Sequence, residues 1–525
     1  MEASGGPSSD PSHVLLGGTP SDSGYRDMHP QPMHAFSLWQ SFLQNVNPLS
    51  KVIHSSSVQM HVIEAGRNLD SLDRPTVALL FAIYTAAVMS MSDEDCSTTF
   101  GEPQKTLLSR YLFATQQALQ AAGVMKVRSF TLLQAFTLHI IAARQLYNPQ
   151  AIWLLSGTAV RMGQLLGLHQ NPASSELSIF DVQMQRRVWW QILLIDARGA
   201  QLAGSQSTYQ FSDAANFPLP GNFNDSDLSP EMREEPVAHN GPTEMMFCLL
   251  RYELGRFLST AAQTLNSHDV SLQEKDRLIS KYENRIECMY LRYCDTALPL
   301  HLLSSGGARS ALCKMRLMAH HPCQYQDRGK SMPQSEHDML FVTSLKMVEY
   351  DVLGKSVRSL DGFGWHMDIF FQLDAFVFML IELRRQQPGT QVDKAWQLVE
   401  DVFKYHPMLA EEGSSELNAE VCKLVVRAWE SREFNFVRNG FEQVIVPPII
   451  GKLRSKLTET PDYEYDVGAI GQGSGEGFTD TPLTMHEMEA MQTDNMGSSA
   501  VADWDFWDNL LQGGMHSQEP INYSK

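Results

Sequence analysis

The sequence predicts an all-α protein, a large multi-helix body carried between two tails expected to be disordered. Three observations carry that class. Apolar residues recur at intervals of three and four through most of residues 36–456, strand-like alternation is scarce, and the periodic stretches are bracketed by capping side chains and glycines. No fixed-period repeat is visible, which leaves one continuous helical body rather than an array of modules.

The elements follow in order. Residues 77–91, after Pro75, form the longest apolar run, about fifteen residues, short of the roughly 18 to 20 a membrane span requires; a buried helix is expected. Leu108, Leu112, Thr115, Leu119 and Ala122 line one face of the next helix, which Gly123 is placed to end. Leu132, Phe136, Ile140 and Ala143 mark another. Asn148 supplies an N-cap with Pro149 at the first helical position, and the stripe Ile152, Leu155, Ala159, Met162, Leu166 runs to a glycine stop at Gly167 and Leu168. Ser178 and Asp181 stand at capping-box spacing before a helix that reaches Gly204. Residues 216–230, with three prolines and many Asx residues, read as an ordered irregular loop. Helices are then expected over 245–266, 274–297, 310–320, 336–359, 366–387, 391–405 and 414–431.

Charge divides the chain unevenly. The net charge is -19, and residues 457–525 hold thirteen acidic residues against one basic, a net of -12. Such a chain repels phosphate backbones on average, and no basic patch suited to nucleic acid is evident. Residues 1–35, rich in Ser, Gly, Pro and Asp, are expected to be disordered, with folding from Phe36 to about residue 456. Residues 457–500 read as a flexible acidic linker and 501–525 as an acidic-aromatic segment. The start of the chain has neither a basic cluster nor an apolar run, so no signal peptide is expected. Seven cysteines in no repeated spacing read as reduced core thiols.

Candidate chemistry is sparse. Arg186 and Arg187 beside Trp189 and Trp190 could form a basic and aromatic nucleic-acid surface, but in an amphipathic helix tryptophan fills core and arginine pairs with a carboxylate; Asp196, Asp225 and Asp227 are candidate partners. His320 and His321 lack a ligand at helical spacing, which favours structural roles. Asp374 within an aromatic stripe reads as a hydrogen-bonded buried carboxylate. The glycine-rich stretch 471–477 has no following Lys-Ser/Thr and reads as linker. No nucleophile elbow and no His-Glu-x-x-His motif is present. No catalytic residue, metal site or cofactor is therefore expected.

Four consecutive pieces carry a resemblance. Residues 159–170 place Arg161, Leu166, Gly167, Leu168 and His169; residues 183–198 place Arg186, Arg187, Trp189, Trp190, Asp196 and Arg198; Asp213 follows, then Asn222, Asn224, Asp225, Asp227 and Leu228. This order resembles the middle homology domain of fungal zinc-cluster transcription factors. Residues 314–322 and 365–383 resemble later helices of the members that regulate secondary-metabolite genes. The chain departs from the pattern at Gln183, Gln185 and 204–206, and it contains no Cys-x2-Cys pair of the kind a six-cysteine zinc cluster requires.

The resemblance implies an all-helical regulatory domain and a nuclear transcriptional regulator of a biosynthetic gene cluster. Without a zinc cluster, and hence with no zinc cofactor, it would not recognise DNA alone. It would instead act with a zinc-cluster DNA-binding protein or as a homodimer, and with the transcription machinery or a coactivator. Two other readings stay open: a metabolite-sensing or scaffold protein, and an all-α enzyme, for which no motif speaks. The tail discriminates among them. Trp504, Phe506, Trp507, Leu510 and Leu511 lie among acidic residues, the composition of an activation segment, and an enzyme has no use for it.

Overall fold

The computed structural model describes residues 24–126, 129–170, 177–205, 217–267, 269–325, 331–368, 371–411, 416–438 and 446–459. Among these the regular structure is helical, with no strand. The helices are α1 (Pro32–Ser41), α2 (Ser55–Arg67), α3 (Arg74–Met89), α4 (Asp93–Phe100), α5 (Gln104–Ala121), α6 (Phe130–Ala143), α7 (Pro149–Leu165) and α8 (Ile179–Leu202). After an irregular segment come α9 (Met246–Asn266), α10 (Leu272–Met289), α11 (Pro299–Ala319), α12 (Gln334–Ser356), α13 (Leu373–Leu383), α14 (Thr390–Tyr405), α15 (Glu416–Arg438) and α16 (Pro448–Glu459).

Helix α3 shows how composition sets position. The Asp73 side chain accepts from the Thr76 N–H, Pro75 occupies the first turn, and every residue from Thr76 to Met89 is buried. A helix apolar on all sides can satisfy itself only by being surrounded, and α3 packs between α5 and α6. Each large aliphatic side chain removed from water there contributes about 1.5–3 kcal/mol. No described helix is long and apolar enough to cross a membrane.

The caps fall where the residues predict them. Asn148 Oδ1 accepts from the Ala151 N–H at 2.8 Å, and Ser178 Oγ accepts from Asp181 N–H at 3.1 Å. Helix α7 closes at Gly167, whose φ of +80° is a left-handed conformation suited to glycine. Its N–H donates to the Gln164 carbonyl, while Leu168 N–H donates to the Gly163 carbonyl and the Leu168 side chain is buried.

One apolar core runs from Tyr25 to Trp365, and a second joins α12 to α16. Helix α12 serves both the second core and a small cluster between α11 and α13, so it is apolar on more than one face.

Several boundaries differ from expectation. Ordered structure begins before Phe36: Tyr25 is buried edge-on against Phe81, and α1 starts at Pro32. The helix expected over 310–320 begins at Pro299, because packing on α9 and α12 holds a helix through Gly306 and Gly307 that intrinsic preference disfavours. The one expected over 274–297 ends at Met289. The stretch 366–387 is interrupted, with a single turn, Gly364–Met367, separate from α13, and residues 369–370 lie outside the described residues. Asp374 is not buried; it stands in the first turn of α13, paired with Lys314 at 3.0 Å. Cys96, Cys248, Cys313 and Cys422 are buried, whereas Cys288 is exposed. Of the segment expected to form the disordered start, residues 1–23 lie outside the described residues, as do residues 460–525 of the expected acidic linker and acidic-aromatic tail, Trp504, Phe506, Trp507, Leu510 and Leu511 among them.

Candidate functional site

Helix α8 carries the residues that the sequence singles out, and its burial decides what they do. Trp189, Trp190 and Arg187 are fully buried, so no basic and aromatic surface forms there. Trp190 donates from Nε1 to the Pro218 carbonyl at 3.1 Å and stacks on Tyr252 of α9 at 5.8 Å. Trp189 faces α7, where a Cβ on Gly163 would lie 2.7 Å from its ring, and α7 also approaches α8 at Gly199. The two helices therefore meet through glycines, which admit the indole without a competing side chain.

Arg187 reaches a carboxylate rather than solvent. Its Nη1 lies 2.7 Å from Asp225 Oδ1. The other oxygen of Asp225 accepts from Ser55 N–H at 3.2 Å and Ser55 Oγ–H at 2.8 Å, and Lys51 Nζ stands 3.3 Å away. Lys51 also pairs with Glu244. His54 Nε2 lies 3.0 Å from the Asp225 carbonyl and Nδ1 lies 2.8 Å from Ser57 Oγ. Burial pushes the Asp225 pKa upward, but the Lys51 and Arg187 charges and the hydrogen bonds from Arg187 and Ser55 outweigh it, holding the carboxyl well below the ordinary range. Two cations and two carboxylates balance, and the network ties α2, α8 and the irregular segment together.

The remaining singled-out residues separate. Asp227 is not a partner of the arginines; it accepts from the Asn224 N–H and meets His239 Nε2, both at 2.8 Å, and so closes its own turn. Asp196, buried, accepts from Ser156 Oγ of α7 at 3.0 Å. Arg186 is half-buried, with its pKa lowered by burial and partly restored by Glu235. Arg161 turns to the Gly157 carbonyl at 3.1 Å, and His169 tilts against Trp189 at 6.4 Å. Gln183 is buried and bridges, accepting from Gly221 N–H and donating to Glu235, both at 2.8 Å. His320 lies between Glu336 at 2.7 Å and Asp276 at 2.9 Å, and His321 packs edge-on against Phe378. No cluster of metal-ligating side chains occurs among the described residues.

These residues form a scaffold on which several distant segments converge, and relatives share the sequence. Residues 39–290 match the model of the fungal specific transcription factor domain. The chain is 33% identical over 516 residues to the aurofusarin cluster transcription factor aurR2 of Gibberella zeae, covering 93% of this chain and 77% of that protein. It belongs to the fungal specific transcription factor family.

The transcriptional regulator AacuB of Aspergillus aculeatus is 28% identical over 90% of this chain and 66% of its own length. The pyriculol/pyriculariol biosynthesis cluster transcription factor 1 of Pyricularia oryzae is 29% identical over 85% and 61% respectively. The chain thus spans about two thirds of the length of these relatives. Family membership makes this a transcription-factor chain, not an enzyme. Within the family domain, Arg187 and Asp225 are legible from sequence as a candidate pair, whereas Lys51, Ser55 and Glu244 carry no local signal: folding brings Lys51 and Ser55 to Asp225 and Glu244 to Lys51.

Proposed function

We propose that this chain is a nuclear regulator of a secondary-metabolite biosynthetic gene cluster. The observation that carries the reading is its alignment, over 93% of its length, with a relative named for the aurofusarin cluster. The other two relatives are named as a transcriptional regulator and a biosynthesis-cluster transcription factor. The chain reaches promoters with a DNA-binding partner, a zinc-cluster protein or a second subunit. Two features support this: its 525 residues contain no Cys-x2-Cys pair, and its net charge of -19 opposes approach to phosphate. The chain itself takes no zinc and no other cofactor, and the acidic-aromatic segment 501–525 contacts the transcription machinery.

Deleting the gene and measuring transcripts genome-wide tests the reading. Loss of messages from one contiguous set of biosynthetic genes is the expected result, with a tagged protein concentrated in the nucleus. Unchanged biosynthetic transcripts would overturn it. Tight, sequence-selective DNA binding by the purified chain at physiological salt would overturn the partner dependence.

A further inference from the structure

Arg144, just past the end of α6, and Arg251, on α9, differ from the other deeply placed cations described above. Lys51 and Arg187 meet carboxylates. Among the described residues Arg144 and Arg251 meet none: the polar contact of Arg144 is a long one, 3.5 Å from Nε to the Ile141 carbonyl, and both guanidinium groups lie over aromatic rings. Arg144 stands 5.9 Å from the centre of the Trp365 ring, and Arg251 stands 5.6 Å from that of Phe247, one turn earlier on α9. Between them, His366 packs edge-on against Phe247 at 5.1 Å and Trp365 at 5.6 Å. The Gly364–Met367 turn is held in place, since Trp365 Nε1 donates to the Asn45 carbonyl at 3.0 Å and Gln145 Nε2 donates to the Trp365 carbonyl.

Both arginines are half-buried as whole residues, whereas Phe247, Trp365 and His366 are buried. Burial lowers the pKa of both arginines, and the Arg251 and Arg198 charges press Arg144 down further. Burial also holds His366 well below its ordinary value, with Arg251 and Arg144 adding to it, so the imidazole is neutral near pH 7. Arginine keeps its proton in proteins, so the repulsion is not relieved by deprotonation. Two uncompensated positive charges this deep are costly unless an anion joins them.

We propose that Arg144 and Arg251, walled by Phe247, Trp365 and His366, form a binding site for a small organic anion, a carboxylate or phenolate carried on a flat apolar body. The arginines hold the charge and the rings pack against the apolar part. The site joins the turn before α13 to α6 and α9, so an occupant would fasten the segment leading to the second core onto the first. The inference is independent of the promoter reading, because binding is scored on purified protein without transcription.

The test is the melting temperature of the full chain in a chloride buffer with millimolar 2-naphthoate, its neutral carboxamide, or inorganic phosphate. Naphthoate is expected to raise the melting temperature by about 3 °C or more, with the carboxamide and phosphate producing little change. Arg144→Met and Arg251→Met should each remove that rise while melting no lower than wild type without ligand, since each relieves the repulsion. No naphthoate effect on wild type, an equal effect of the carboxamide, or an equal effect of phosphate each overturns the proposal. So does a rise that persists in the double variant. The wild-type comparison of naphthoate with carboxamide decides the matter even where a variant fails to fold.

Discussion

Arg187 Nη1 and Asp225 Oδ1 lie 2.7 Å apart with both side chains almost wholly excluded from solvent, although 38 residues separate them in sequence. The pair cannot be replaced on one side alone. Asp225→Asn leaves Arg187 buried without a carboxylate and weakens the hold on Lys51 and Ser55. The expected loss is about 3–5 kcal/mol, read from urea unfolding of the full chain. A loss below about 1 kcal/mol would mean that the network contributes little beyond a surface ion pair.

The same carboxylate predicts a pH dependence. Its folded pKa is depressed, while the unfolded chain binds a proton near pH 4, about the ordinary Asp value. The stabilisation is therefore complete above about pH 5 and is lost as the pH falls toward the folded value. Stability of the Asp225→Asn variant should fall less steeply than wild type between about pH 5 and pH 3. Parallel curves would show that Asp225 does not set the acid limb.

Burial of His139 adds a separate limb. The ring is fully buried, neither nitrogen has a hydrogen-bond partner, and burial lowers its pKa from 6.5 to about 4. Between these values the unfolded chain binds a proton that the folded chain excludes, so stability falls as the pH drops, by about 3 kcal/mol in total. His139→Met removes this term and should be the more stable form at pH 5. The wild-type resonance of His139 should not titrate above pH 5 by NMR; a midpoint near 6.5 would contradict the account.

Gly163→Ala tests the close approach of α7 and α8. The added Cβ would stand 2.7 Å from Trp189, a ring with no room to withdraw in the core. A cost of about 1–3 kcal/mol is expected in thermal unfolding, partly recovered in the double variant with Trp189→Leu. A neutral Gly163→Ala would indicate that the helices slide apart freely.

The acidic-aromatic segment is tested apart from the folded body. Residues 458–525 fused to an unrelated DNA-binding domain should activate a reporter, and alanine at Trp504, Phe506 and Trp507 should abolish the output, since the aromatics are the groups a partner groove would bury. Equal background output from both fusions would remove the activation role.

How much was legible depended on the range over which each signal acts. Periodicity and caps act within a few residues, so α3, α7 and α8 and their ends at Asn148, Gly167 and Ser178 could be read directly. Helix α11 could not, because Gly306 and Gly307 weaken local preference and only packing on α9 and α12 carries the helix through them. The start of the fold was placed late for the same reason: Tyr25 sits among polar residues and owes its burial to Phe81.

The sequence by itself determined the all-α class, the chief helices and their caps, and a family pattern in which Arg187 and Asp225 stand out, because these rest on local spacing and residue type. Only the tertiary structure decided which carboxylate each cation meets. Lys51 and Ser55 reach Asp225 from positions far along the chain, Glu244 meets Lys51, and Arg144 and Arg251 each lie over a ring of their own, Trp365 and Phe247. The physical reason is that pairing in a low-dielectric interior is set by which segments fold against one another, and nothing within a few residues of either partner encodes that.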